Sequence, residues 1–303
     1  MHEEKSHTAT IVICTKDRAQ DLKKCLDSIS GQSRFPEQIV VVDSGTDDAP
    51  EIVASFASRH TAIDIQYIHS EPGLTKQRNI GINAANGDVI HFFDDDVTLN
   101  PDYLQEIQYL FDRDATLLGA GPKVVLAYTP SPLGRIWRRI FLLPDVAGSG
   151  RLLRSGFGSY TWYTRRRDVH DVEILCGCCC AFRKNVFEKV RFDEYFAGYG
   201  YLEDLDFSYR VASLGKLVTH SGAVIEHWES PSARTNWRRL AAMQIVNHAY
   251  VFRKLLPQDL YHRACFWWSE LGESIRRLGI AVRTRNADVV RGMVDGYRAI
   301  LRG

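Results

Sequence analysis

Three consecutive aspartates, Asp94, Asp95 and Asp96, end the apolar run Val89 to Phe93. Adjacent carboxylates repel one another, and burying them is costly unless a cation stands beside them. No basic residue lies close by in the sequence, so the neutralising charge is expected to be a bound divalent cation. Hard carboxylate oxygens suit Mg2+ or Mn2+, which commonly sit on one or two carboxylates plus the phosphates of a substrate. On an extended backbone Asp94 and Asp96 point to one side and Asp95 to the other. Such an Asp-x-Asp pair can hold a metal and a nucleotide ribose together, and Asp95→Asn is expected to be the mildest of the three substitutions. The plainer alternative is a solvated acidic loop, with Asn100 and Pro101 just downstream.

The elements that position these residues alternate between the two regular periodicities. "TIVIC" (Thr10–Cys14), "QIVVVD" (to Asp43), "IDIQYIH" and "DVIHFF" are β-rich apolar runs. Between them lie segments with apolar residues at helical spacing, such as Leu22, Cys25, Leu26 and Ile29. A β-α-β-α order implies a mostly parallel sheet covered by helices, with ligands beyond the carboxyl ends of the strands. Asp17, Asp43 and Asp94 to Asp96 all fall at those ends. From about Ala127 to Asp171 prolines, glycines and arginines break the pattern, which reads as a long excursion. "EILCGCCCAF" resumes as a strand, "YLEDLDFSYRVASLG" as a helix and "GAVIEHW" as a last strand-like run. Arg238 to Arg302 reads as two or three amphipathic helices.

Composition sets the outer bounds. With 303 residues and a formal net charge of +1, no global field points to nucleic acid. Charge is uneven locally: Arg135 to Arg167 holds eight arginines against one acid, Asp145. This is either a patch for anionic phosphates or lipid headgroups, or a solvated basic face. The polar start and the lack of a long apolar run predict neither a signal peptide nor a transmembrane helix. Four of the seven cysteines crowd into "CGCCC", Cys176 to Cys180. The spacing does not suit a structural zinc site, so free buried thiols in a reducing cytoplasm are expected.

Several further segments carry a resemblance. "VICTKDR", "VVVDSGTDD", "GLTKQRNIGI", "GDVIHFFDDDV", "GCCCAFRKNVF" and "FDEYFAGYGYLEDLDFSYRV" follow one another in the order of the family 2 glycosyltransferases, which the chain resembles over about 10–127 and 172–230. The resemblance implies a GT-A type, Rossmann-like α/β fold with helices on both faces of the sheet, and here a helical C-terminal extension. It implies an inverting transfer from a nucleoside-diphosphate sugar, typically a UDP- or dTDP-sugar, assisted by Mg2+ or Mn2+. Thr15, Arg18, Asp43, Arg78, Asn79, Asp94 and Asp95 would then bind the nucleotide, and Asp94, Asp96 and His227 the metal. Asp204 would be the catalytic base, with Glu203 as runner-up. Plainer readings stand beside these. Asp43 in Asp-Ser-Gly is good turn chemistry, Arg78 suits a surface, Glu203 and Asp204 suit a helix N-terminus, and a lone His227 suits packing. Lys16 and Asp17 depart from the family's usual first loop.

The implied organisation places the nucleotide-sugar half at 1–127, a flexible acceptor-side excursion at 128–171, the catalytic half at 172–231 and the helical extension at 232–303. The implied acceptor is a saccharide or lipid-linked saccharide in cell-surface polysaccharide synthesis. The implied location is cytoplasmic, with peripheral contact to the inner membrane surface. A nucleotidyltransferase is the first alternative, but no Gly-rich phosphate loop stands near Cys14 to Arg18. A non-catalytic sugar-nucleotide module is the second; it would need no base such as Asp204.

Overall fold

The computed structural model describes residues 6–126, 131–144, 148–161, 168–228 and 236–302. It divides into two compact units, one of residues 1–127 and 161–230, the other of 128–160 and 231–303. Among the described residues no helix is long and apolar enough to cross a membrane.

The first unit is built on one mixed sheet. Its strands are β1 (Ala9–Thr15), β2 (Gln38–Asp43), β3 (Asp64–His69), β4 (Val89–Asp94), β5 (Val97–Leu99) and β6 (Leu117–Leu126). Helices α1 (Ala19–Ser30), α2 (Ala49–Arg59), α3 (Leu74–Ala84) and α4 (Tyr103–Arg113) connect them. β1 to β4 are parallel, in the order β3-β2-β1-β4. Alternate residues of β1 serve opposite cores, which is why its whole run is apolar. Ile11 and Ile13 join Leu22 of α1 and Ile107 of α4 on one face, while Val12 joins Ile82 of α3 on the other. Each such buried side chain contributes about 1.5–3 kcal/mol. Gly81 of α3 lies so close to β1 that a Cβ there would come within 2.3 Å of a Val12 methyl. The contact packs α3 against the middle of β1, while Gln77 of α3 donates to the Thr15 carbonyl at its end at 2.9 Å.

Beyond β4 the expected parallel order gives way to a mixed one. After helix α5 (Pro132–Ile140) and the short strands β7 (Arg151–Leu152) and β8 (Gly158–Ser159), the chain adds β9 (Val169–Val172) and β10 (Cys179–Arg183). β10 runs antiparallel between β4 and β6. A 3-10 turn, Lys184–Glu188, leads towards α6 (Glu203–Ala212) and then β11 (Lys216–His227). β11 runs parallel to β6, with an irregularity between His220 and Val224. Past that point it also pairs with β5, placing His227 opposite Val97. The last strand therefore brings an imidazole beside the aspartates that β4 delivers.

The second unit holds α5, the β7–β8 hairpin and three helices, α7 (Trp237–Leu255), α8 (Leu260–Thr284) and α9 (Ala287–Arg302). Part of the stretch read as an excursion is thus helix and hairpin; Arg165 to Arg167 lie outside the described residues. Ile245, Phe252, Phe266 and Met293 form its apolar core. A buried polar cluster sits beside that core. His248 stacks on Phe157 with ring centroids 3.6 Å apart. Its Nδ1 lies 2.6 Å from Glu270 and its Nε2 2.8 Å from the Ser155 carbonyl. Tyr297 donates to Glu270 at 2.6 Å, and Arg277 lies 3.5 Å from Glu270 and 3.6 Å from Glu273.

Candidate active site

β4 ends at Asp94, and Asp95 and Asp96 form the turn into β5. Ligand atoms of Asp94, Asp96 and His227 lie within 4.8 Å of one another. His227 Nε2 is 3.1 Å from Asp96 Oδ1. Two carboxylates and an imidazole suit a first-row divalent ion, with Mn2+ accepting the nitrogen more readily than Mg2+. Asp94 keeps about a quarter of its side chain in solvent, at 28% exposure, so the group has an open side.

The missing counter-charge is in the chain after all, brought from distant sequence by the fold. Arg18 bridges Asp95 Oδ1 at 2.8 Å and Asp96 Oδ2 at 3.2 Å. Arg78, buried on α3, donates from Nη1 to Glu203 Oε1 at 2.9 Å, and from Nη2 to Asp94 Oδ1 at 3.2 Å and the Gly177 carbonyl at 2.8 Å. Its guanidinium carbon stands 5.1 Å from the centre of the Phe192 ring. Arg78 is therefore no surface arginine. It ties the end of β4 to the start of α6.

Asp95 shares Arg18 with Asp96 and is the most buried of the three, at 0% exposure. Thr15 donates to its Oδ2 at 2.7 Å. Burial pushes its carboxyl up, to about 8, against the pull of Arg18 and the Thr15 hydroxyl. A buried carboxyl held by two groups stands against the expectation that Asp95→Asn is the mildest of the three substitutions. The Thr15 hydroxyl and the Asp95 carboxyl are bonded to each other, and both residues are buried.

Asp43 is buried as well. Its Oδ1 accepts from the Gly45 amide at 2.7 Å and its Oδ2 from the Tyr67 hydroxyl at 2.8 Å, so it closes the turn after β2. Asn79 braces a neighbouring segment. It donates to the Phe192 carbonyl at 2.9 Å and to Glu194 at 3.1 Å, and accepts from the Phe192 amide at 3.1 Å. Its amide is committed within the protein at both ends.

The second acidic pair arrives by a strained route. Gly198, Gly200 and Leu202 all take left-handed backbone conformations, with φ of 70°, 76° and 70°. For Leu202 this costs about 1 kcal/mol or more. The turn sets Glu203 and Asp204 at the first turn of α6. Asp204 Oδ2 accepts from the Gly177 amide at 2.8 Å, and Oδ1 from the Leu205 amide at 2.8 Å. Burial raises the Asp204 carboxyl above its ordinary value, against those two amides. Burial and the neighbouring Asp204 raise Glu203 well above its own, against Arg78.

Gly177 is the residue that inspection of the acids alone does not find. A Cβ on it would meet Asp204 Cβ at 2.8 Å and Glu203 Oε1 at 3.0 Å. Its amide holds Asp204 and its carbonyl holds Arg78, so the two peptide groups of one glycine join the two acidic clusters. A lone glycine in the apolar run Ile174 to Phe182, which the structure places in the turn leading into β10, is the signal for such close backbone approach.

A sheet whose parallel half ends in an Asp-x-Asp turn, with a second acidic pair at the head of a helix, is the architecture of the GT-A glycosyltransferases. The chain belongs to glycosyl transferase family 2, whose family model matches residues 10–191. It is similar to the putative glycosyltransferase EpsH of Bacillus subtilis (strain 168), with 35% identity over 28% of this chain and 25% of EpsH. It is also similar to the chondroitin synthase of Escherichia coli, with 25% identity over 78% of this chain and 37% of that enzyme. It thus spans well under half the length of these curated relatives. Among solved structures, the mannosyltransferase PcManGT from Pyrobaculum calidifontis, in complex with GDP-Man and Mn2+, shares the fold. The TM-score is 0.60 at 17% identity, over 96% of this chain and 87% of that one. S. aureus TarS in complex with UDP-GlcNAc shares it at a TM-score of 0.59 and 13% identity, over 97% and 81%.

Proposed function

We propose that the protein transfers a sugar, with inversion, from a nucleoside-diphosphate sugar to a hydroxyl of a saccharide or lipid-linked saccharide. The observation that carries this reading is the continuous link from Asp204 through the Gly177 peptide and Arg78 to Asp94. It holds a proton acceptor and a candidate metal cluster in fixed register at one end of the sheet. Asp94, Asp96 and His227 would hold Mn2+ or Mg2+, which when bound neutralises the charge of a departing diphosphate. Asp204 takes the proton of the acceptor hydroxyl as that oxygen attacks the anomeric carbon from the face opposite the diphosphate. Its two backbone amides fix the orientation of the carboxylate, and its raised affinity for a proton suits a base at neutral pH. Arg78 and Glu203 hold the base and the metal cluster at constant separation.

The solved relatives carry UDP-GlcNAc or GDP-Man, so the donor test spans UDP-, dTDP- and GDP-sugars with Mn2+ or Mg2+. Nucleotide release is expected with one donor class, lost in Asp96→Ala. Asp204→Asn is expected to bind donor at wild-type affinity without turnover. No release with any donor, or full turnover in Asp204→Asn, refutes the reading.

The acceptor side of the proposal includes a cytoplasmic lipid surface. On α8, Trp267, Trp268, Leu271, Ile275, Leu278 and Val282 recur every three or four residues and are all exposed. α5, joined to α8 by the Trp268 indole on the Ile140 carbonyl at 2.7 Å, exposes Leu133, Ile136 and Ile140 beside Arg135 and Arg139. Apolar side chains flanked by arginines match an anionic bilayer. Flotation with anionic but not zwitterionic vesicles is expected, and Leu271→Glu/Ile275→Glu is expected to abolish it; no flotation of the wild type at low salt sinks this part.

A further inference from the structure

Gly177 lies between two cysteines whose sulfurs are 3.2 Å apart, Cys176 and Cys178. Cys178 is buried at 4% exposure, while Cys176 is half-buried and reachable from solvent. Each of the other described thiols lacks this arrangement: Cys14, Cys25, Cys179 and Cys180 are buried, and Cys265 is in the other unit. A bond between Cys176 and Cys178 would close a ring containing both peptide bonds of Gly177. Those peptide groups are the ones that hold Asp204 and Arg78, and the Cys178 carbonyl accepts from the Asp94 amide at 2.9 Å.

We propose that Cys176 and Cys178 form a reversible disulfide modification site that takes low-molecular-weight disulfides and disarms Asp204 by moving the Gly177 peptide. The Cys176 thiolate attacks one sulfur of the small disulfide and expels one thiolate, leaving a mixed disulfide on Cys176. Cys178 then gives up its proton and attacks the Cys176 sulfur, expelling the second small thiol. The protein loses two hydrogens and two electrons, and one small disulfide becomes two thiols. An S–S bond is about 2.05 Å long. The sulfurs must therefore approach by roughly 1 Å, and a displacement of about 1 Å at a catalytic group costs on the order of 100-fold in rate. The same change should release the Gly177 amide from Asp204. Reduction of the disulfide restores the dithiol and, with it, both hydrogen bonds.

The rate arm of the test rests on the glycosyl-transfer reading, whereas the thiol and exchange arms do not. The whole chain is equilibrated with oxidised glutathione and then alkylated. The tryptic peptide 168–183, with cysteines 176, 178, 179 and 180, is sequenced by mass spectrometry. Blocked alkylation at Cys176 and Cys178 alone is expected, reversed by dithiothreitol and absent in Cys176→Ser. Hydrogen exchange at the Gly177 amide should accelerate at least tenfold on oxidation, and nucleotide release should fall about 100-fold. Cys176→Ser, which changes only a side chain outside the hydrogen-bonded link, should keep the reduced wild-type rate under oxidant. Four free thiols after oxidation overturn the proposal, and so does a disulfide that leaves exchange at Gly177 unchanged. If no donor supports turnover in the reduced protein, the transfer reading fails while these two arms still decide the disulfide.

Discussion

Arg78→Met removes a cation from the centre of the site and leaves a hole of charge. Asp94 keeps contact with solvent and can recover hydration, so its share of the loss is small. Glu203 cannot, because its side chain is only 8% exposed and Arg78 Nη1 is its ion-pair partner at 2.9 Å. The Gly177 carbonyl also loses its donor. Removing one partner of a buried pair costs about 3–5 kcal/mol, most of it the isolated charge left behind. For a unit of this size that corresponds to a melting point lowered by roughly 6–20 °C. The second half of the experiment separates charge from shape. Arg78→Met/Glu203→Gln removes both charges and should recover about 1–3 kcal/mol of the loss. Arg78→Lys keeps the charge but offers no planar fork for three acceptors, and should fall between wild type and Arg78→Met. Calorimetric or fluorescence melts of the four proteins decide the matter. A melting point of Arg78→Met within about 2 °C of wild type, or a double variant no better than the single, would refute the view that Glu203 depends on this arginine.

Other outcomes follow from the same geometry. Gly177→Ala drives a methyl to within 2.8 Å of Asp204 Cβ, so turnover should drop about 100-fold while donor affinity holds; wild-type turnover would show that the peptide does not position the base. Asp95→Asn should lower the melting point by several degrees, because Arg18 and Thr15 then face a neutral amide; a melt unchanged from wild type would restore the view of Asp95 as a spectator. In the helical unit, burial alone would raise Glu270 and Glu273. For Glu270 the His248 hydrogen bond and the charges of His248 and Arg277 outweigh burial, and for Glu273 Arg276 and Arg277 do so, leaving both carboxyls below their ordinary value of 4.5. Depressed carboxyls contribute stability above that value and lose it as pH falls through the folded one, so the melting point should decline on acidification from about pH 5. Glu270→Gln should flatten part of that decline; identical slopes would exclude the His248 cluster as its source.

The parallel half of the fold is legible in the sequence because β1, β2 and β4 are apolar on both faces and end in polar residues. The grouping of Asp94 with Asp96 and His227 follows from motif order, although Asp95 and Asp96 lie in a turn and not on the extended strand that alternation assumes. What is not legible is the distance between sequence neighbours and spatial ones. Arg18 and Arg78 lie 76 and 16 positions before Asp94, and only a parallel sheet brings their helices over its end. Thr15, Asp43 and Asn79 have side chains that serve a nucleotide or the protein equally well, and their hydrogen bonds within the protein show up only in the folded chain. The reversal of strand direction at β10 has no local signature, since an antiparallel insertion and a parallel strand read alike over five residues.

Arg18, resting across Asp95 and Asp96, has a consequence for how the protein comes into being. A cluster of bare carboxylates would stall its own assembly until an ion arrived, as happens in small domains whose folding waits on metal. Here a side chain from the first loop stands in as a resident counter-ion from the moment β1 and β4 pair. Folding of the chain is therefore expected to proceed without divalent metal. An ion held by this cluster would take Asp96 over from Arg18, a change of partner within the folded protein.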